Sequence, residues 1–103
     1  MKIEISNLSF KCIVGILAFE RIEKQKVVIN ISFEYDFSKD LFIDYSEVSN
    51  LVKSTMKKEK FLLLEDAILH LENLLNTSYK ISNLYIKISK PNILKDCVVS
   101  LSN

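Results

Sequence analysis

A chain of 103 residues, 49% hydrophobic and 26% charged, is long enough for one packed core and too short to divide into two. Fourteen basic against 13 acidic residues leave a formal net charge of +1, so no overall field recruits nucleic acid or an anionic membrane. Polar residues interrupt the apolar ones from Lys2 and Glu4 onward, so no signal-peptide core forms and no later run reaches membrane-spanning length; a cytoplasmic location is expected.

Cys12 and Cys97 stand far apart without a CxxC pattern, and both are expected as small core residues. His70 is the only histidine, with no second histidine or paired thiol at ligand spacing, so neither a metal site nor a cofactor is expected.

In chain order, Ile3 and Ile5 begin an alternation that changes phase near Ser6-Asn7 and resumes at Leu8, Phe10, Cys12 and Val14, which predicts a strand with a bulge. Gly15 to Gln25 holds the only glycine and several charges, a connection longer than a tight turn. From Val27 to Phe37 the odd positions are apolar or aromatic and most even ones polar, a period of two that predicts a long antiparallel strand with one buried face. The period then changes. Val48, Leu51, Val52, Thr55 and Met56 recur at three and four residues, with Asp44 or Ser46 available as N-cap, and a second helix follows from about Leu62 to Asn76-Thr77. Leu84, Ile86 and Ile88 mark a third strand halted by Pro91, and Cys97 to Leu101 a fourth. The order ββααββ predicts a single α+β domain over residues 1–103: a four-stranded antiparallel sheet with two helices on one face. A long hairpin leaves strand edges that pairing between subunits would satisfy, so a ring-like homo-oligomer is expected.

Four patches carry the reading toward function: Gly15 to Arg21 (GILAFER) with Gln25, then Asp44-Tyr45, then Phe61 to Glu65 (FLLLE), then Lys90-Pro91. In this order, with ββααββ, they resemble the dihydroneopterin aldolase family over almost the whole chain. The resemblance implies a tunnelling-fold pterin enzyme, an aldehyde-lyase that uses neither metal nor Schiff base and assembles as an octamer of two tetrameric rings. It implies that Glu65 anchors the pterin substrate with Leu64 adding its main chain. It further implies that Lys90 is the catalytic base, that Glu20 orients the lysine or a water, and that Tyr45 enters a neighbouring subunit's site to protonate the intermediate.

Read without the resemblance, each residue has a plainer role. Glu65 is a first-turn glutamate favoured by the helix dipole, Lys90 a solvated edge charge, Glu20 a loop charge, Tyr45 a packing residue at a helix start, and His70 a surface or interface residue. Lys57, Lys58 and Lys60 offer cations for a triphosphorylated substrate, hence an epimerase on the same scaffold, or else form a solvated helix end. A non-catalytic oligomeric pterin-binding or structural module is a further alternative. The segment 36–44, which presents Tyr45 to the neighbour, is shorter than usual for the family; Asn92-Ile93-Leu94 replace the family's glycine-containing stretch and the chain ends early at Asn103, so a short fourth strand is expected.

Overall fold

The computed structural model describes all 103 residues. Strands β1 (Lys2–Cys12) and β2 (Gln25–Glu34) are followed by helices α1 (Tyr45–Glu59) and α2 (Leu64–Ser78), then by strands β3 (Ser82–Lys90) and β4 (Val99–Ser102). The strands lie in the order β1-β2-β3-β4, each pair antiparallel, which is the four-stranded antiparallel sheet expected.

The phase change in β1 is a bulge. Ile5 faces Ile31 and Leu8 faces Ile29, and between them Asn7 turns to φ 57 while its N–H donates to Asn30 Oδ1 at 2.9 Å. The bulge keeps Ile5 and Leu8 on one face although they stand three positions apart, which strict alternation would forbid. Val27, Ile29, Ile31 and Phe33 of β2 and Ile86 and Ile88 of β3 turn toward the helices. They form one buried cluster with Val48, Val52 and Met56 of α1 and Ala67, Ile68, Leu71 and Leu75 of α2. Helix α1 lies over β1, and α2 over β3 and β4.

Asp44 is the N-cap of α1, accepting from the Ser46 amide at 2.9 Å. Lys60 ends that helix in the left-handed conformation, φ 48. Helix α2 starts at Leu64 and leaves Leu62 and Leu63 exposed.

Two expectations fail. The second strand stops at Glu34 rather than Phe37, because β3 begins with Ser82 opposite Glu34 and the pairing with β1 ends in the two backbone bonds between Tyr35 and Met1; Phe37 is exposed. Cys12 is buried as expected, but Cys97 is exposed. It has the parity of Val99 and Leu101, yet β4 begins only where Val99 meets Lys90, the last residue of β3, so Cys97 stays in the connection. The fourth strand is short, as expected, at four residues. No helix is long and apolar enough to cross a membrane.

Candidate active site

The connection from β1 to β2 is built around Gly15, whose φ of 120 is in the region that disfavours side chains. A Cβ there would fall on the Glu20 carboxylate itself, so the glycine provides the space into which that carboxylate folds back. A 3-10 turn over Ala18–Arg21 reverses the chain and buries Glu20, which is 2% exposed.

A buried carboxylate needs donors, and Glu20 has three. The Leu17 amide donates to Oε1 at 3.1 Å, while the Gln25 amide (2.7 Å) and Lys90 Nζ (3.0 Å) donate to Oε2. Gln25 Nε2 also donates to Val14 O at 2.8 Å, which ties the start of β2 to the end of the preceding segment. Burial by itself pushes the Glu20 pKa up; the Lys90, Gln25 and Leu17 donors outweigh it and hold the group below its usual value of 4.5. Glu20 is therefore charged at neutral pH. Its partner is 70 residues away in sequence, and the Lys90 side chain is only 12% exposed.

The same end of the molecule holds the start of α2. Gly15 N–H donates to Phe61 O at 3.0 Å, four residues before Glu65, and α2 runs back along β3, so Leu64 and Glu65 lie at the Lys90 end of that strand. Leu64 is buried in the core cluster. Glu65 is exposed, its carboxylate has no hydrogen-bond partner within the chain, and it lines a groove of about 240 Å³ with Ile68, Leu69, Glu72 and Leu101–Asn103. A second cleft, about 260 Å³, is lined by Glu20 together with Lys11, Glu23, Lys24, Lys26, Asn92 and Ile93.

Tyr45 is elsewhere. It is the first residue of α1, 67% exposed, whereas the far end of that helix reaches the Gly15 loop through a bond from Arg21 to Lys60 O. Fifteen helical residues span about 22 Å, so Tyr45 does not meet Glu20 or Lys90 of its own chain. His70 is exposed, its ring edge-on to Phe61 at 5.3 Å. Lys57 and Lys60 line a cleft other than the one Glu20 opens on. No three histidine, cysteine, aspartate or glutamate residues converge in a metal-holding group.

The family model for dihydroneopterin aldolase matches residues 3–102, which is the whole fold from β1 to β4. The chain belongs to the dihydroneopterin aldolase family. It is 28% identical over 97 residues to the dihydroneopterin aldolase of Haemophilus influenzae, covering 87% of this chain and 82% of that protein. It is also 31% identical over 93 residues to the folic acid synthesis protein fol1 of Schizosaccharomyces pombe, covering 90% of this chain but only 12% of that much longer protein. Among solved structures, Escherichia coli dihydroneopterin aldolase in complex with neopterin has the same fold, with a TM-score of 0.89 over 100% of this chain and 96% of that one at 22% identity.

Two residues of this family member's loop lacked a role when read from sequence. Gln25 has the parity of the buried face of β2 yet is polar, and that mismatch is the signal of an internal hydrogen-bond duty. Arg21 donates to three carbonyls, and an arginine in a charged loop carries no periodic signal that could have announced it.

Proposed function

We propose that the chain cleaves 7,8-dihydroneopterin by a retro-aldol reaction to 6-hydroxymethyl-7,8-dihydropterin and glycolaldehyde. The observation that carries this reading is the buried Glu20–Lys90 pair at the same end of the fold as the unpartnered Glu65 carboxylate, in a member of the dihydroneopterin aldolase family. The neopterin bound by the Escherichia coli relative is a pterin of the same class.

In this reading the Glu65 carboxylate accepts two parallel hydrogen bonds from the amino group and ring N–H of the pterin, and the Leu64 main chain adds to them. Lys90, directly or through a water, takes the proton from the hydroxyl on the second side-chain carbon, and Glu20 keeps the lysine aimed. As that oxygen becomes the aldehyde carbonyl, the bond between the first and second side-chain carbons breaks, and its electrons enter the dihydropterin's own C=N bond. Glycolaldehyde leaves, and a proton delivered to the first carbon restores the C=N bond in the product. Because the substrate supplies its own electron sink, the step calls for neither a Schiff base nor a metal. Recombination of the fragments with the opposite stereochemistry would make the chain an epimerase as well.

The proton donor we assign is Tyr45 of an adjacent subunit, since its exposed position at the far end of α1 suits a group presented to a neighbour. An octamer of two tetrameric rings in the cytoplasm is the assembly we propose. Incubation with 7,8-dihydroneopterin tests the activity: equimolar glycolaldehyde and hydroxymethyl-dihydropterin are expected, and failure to form either would overturn it. Comparing turnover of dihydroneopterin with that of its triphosphate separates the aldolase from an epimerase of the triphosphate, and a chain that binds pterin without turning over either is the non-catalytic module.

A further inference from the structure

We propose that Arg21 is a positioning residue whose guanidinium fixes the Glu20 loop against the linker leading into α2, and so sets the spacing between the Glu20–Lys90 pair and Glu65. This deepens the aldolase reading and rests on it.

Arg21 Nη1 donates to Gly15 O at 3.1 Å and to Phe61 O at 3.3 Å, and Nη2 donates to Lys60 O at 2.9 Å. Three carbonyls from two segments are thus gathered by one planar group. A guanidinium does this because its five N–H donors are fixed in a fork, whereas an ammonium is a single point donor. The acceptors need partners: Lys60 leaves α1 in the left-handed conformation, and carbonyls at a helix end have no intrahelical donor.

The arrangement is a brace with two arms leaving one turn. Glu20 reaches from the 3-10 turn toward the sheet, where Gln25 and Lys90 hold it. Arg21, the next residue, reaches toward Lys60 and Phe61, from which the chain runs through two exposed leucines to Leu64 and Glu65. Apart from Arg21, the backbone bond from Gly15 N–H to Phe61 O is the hydrogen bond that joins the loop to this linker. Beyond that bond and the packing of Phe61 against the core and His70, the two Arg21 donors tie the linker backbone to the loop at Lys60 and Phe61. A retro-aldol step needs the pterin ring fixed at Glu65 while the side-chain hydroxyl meets Lys90, and a misplacement of about 1 Å between such groups costs on the order of 100-fold in rate.

The test uses the full chain with Arg21→Ala and Arg21→Lys, measuring kcat and KM for 7,8-dihydroneopterin, affinity for the product pterin, and thermal unfolding. The Arg21→Ala chain is expected to lose about 10- to 100-fold in kcat while product affinity stays within about threefold, because Glu65 remains on its helix. Added guanidinium ion, at concentrations that leave thermal unfolding unchanged, should restore part of the lost rate, so that the gain is not one of folded fraction. Arg21→Lys keeps the charge at the helix end but not the fork, so it should stay folded and remain at least about tenfold slow. A kcat within about threefold of wild type in either folded variant overturns the proposal, as does a rate loss that follows only the folded fraction and ignores guanidinium. Should Arg21→Ala not fold, Arg21→Lys alone decides by the same thresholds. A wild-type chain that does not cleave dihydroneopterin overturns the aldolase reading and this role with it, a pattern distinct from an active wild type indifferent to Arg21.

Discussion

Glu20 and Glu65 are carboxylates at one end of the molecule with opposite surroundings. Glu20 is 2% exposed and receives three donors from its own chain; Glu65 is exposed and receives none. A buried carboxylate with three of its roughly four acceptor sites filled has little capacity left for a ligand, whereas an unpartnered one beside a groove retains its full capacity for an outside donor. On the proposed reading the first group would arrange the chemistry and the second hold the substrate, and measurements on both groups and their partners can break or sharpen that contrast.

The largest effect is expected for Lys90→Ala, which removes the side chain through which Glu20 is proposed to act. kcat should fall by about 100- to 10,000-fold with a much smaller change in product-pterin affinity, as single-turnover and binding measurements can separate. Equal losses in both would make Lys90 a binding residue.

Glu20→Ala should act on stability as well as rate. Breaking a buried pair usually costs about 3–5 kcal/mol, and here about 2–3 is expected because the remaining lysine keeps some exposure. Urea unfolding measures it. The pH dependence has a definite sign: the folded pKa of Glu20 lies below its usual 4.5, so its contribution is present above pH 4.5 and is lost as pH falls through the depressed value. The stability gap between wild type and Glu20→Gln should therefore narrow on acidification below 4.5, and a gap that widens there would reverse the assignment.

Glu65→Ala should leave unfolding within the ordinary range for a surface substitution while pterin affinity drops by about 10- to 100-fold. Unchanged affinity would remove Glu65 from the substrate site and dissolve the contrast with Glu20. The smallest signal comes from mixing inactive Lys90→Ala chains with inactive Tyr45→Phe chains under subunit exchange. If sites are shared between neighbours, about a quarter of them regain both groups and activity reappears. No recovery despite proven exchange would put Tyr45 outside a shared site.

Much of this was legible in the chain. The bulge at Ser6-Asn7 showed as a phase slip, both helices as a change of period, and Asp44 as one of two candidate caps beside Ser46, because each depends on residues within a few positions of one another. Where pairing partners decide the outcome, pattern alone misled. Phe37 continues the alternation of β2 but has no ladder to join, and Cys97 has the right parity for β4 but precedes its first pair. Glu20 read as plainly as a loop charge as it did as a site residue, since nothing local says that the only glycine leaves room for its carboxylate.

By itself, then, the sequence determined the elements, their order and the faces they bury, because periodicity and capping are short-range properties of the backbone. It also determined family membership, through patches spread over the chain from Gly15 to Lys90. Only the tertiary structure decided that Glu20, Gln25 and Lys90 share one hydrogen-bonded cluster, that Arg21 braces the loop to the α2 linker, and that Tyr45 lies a helix length from them all. The reason is physical: whether a charged side chain is solvated, paired or left open to a ligand depends on groups brought beside it from up to 70 residues away, and packing decides which groups those are.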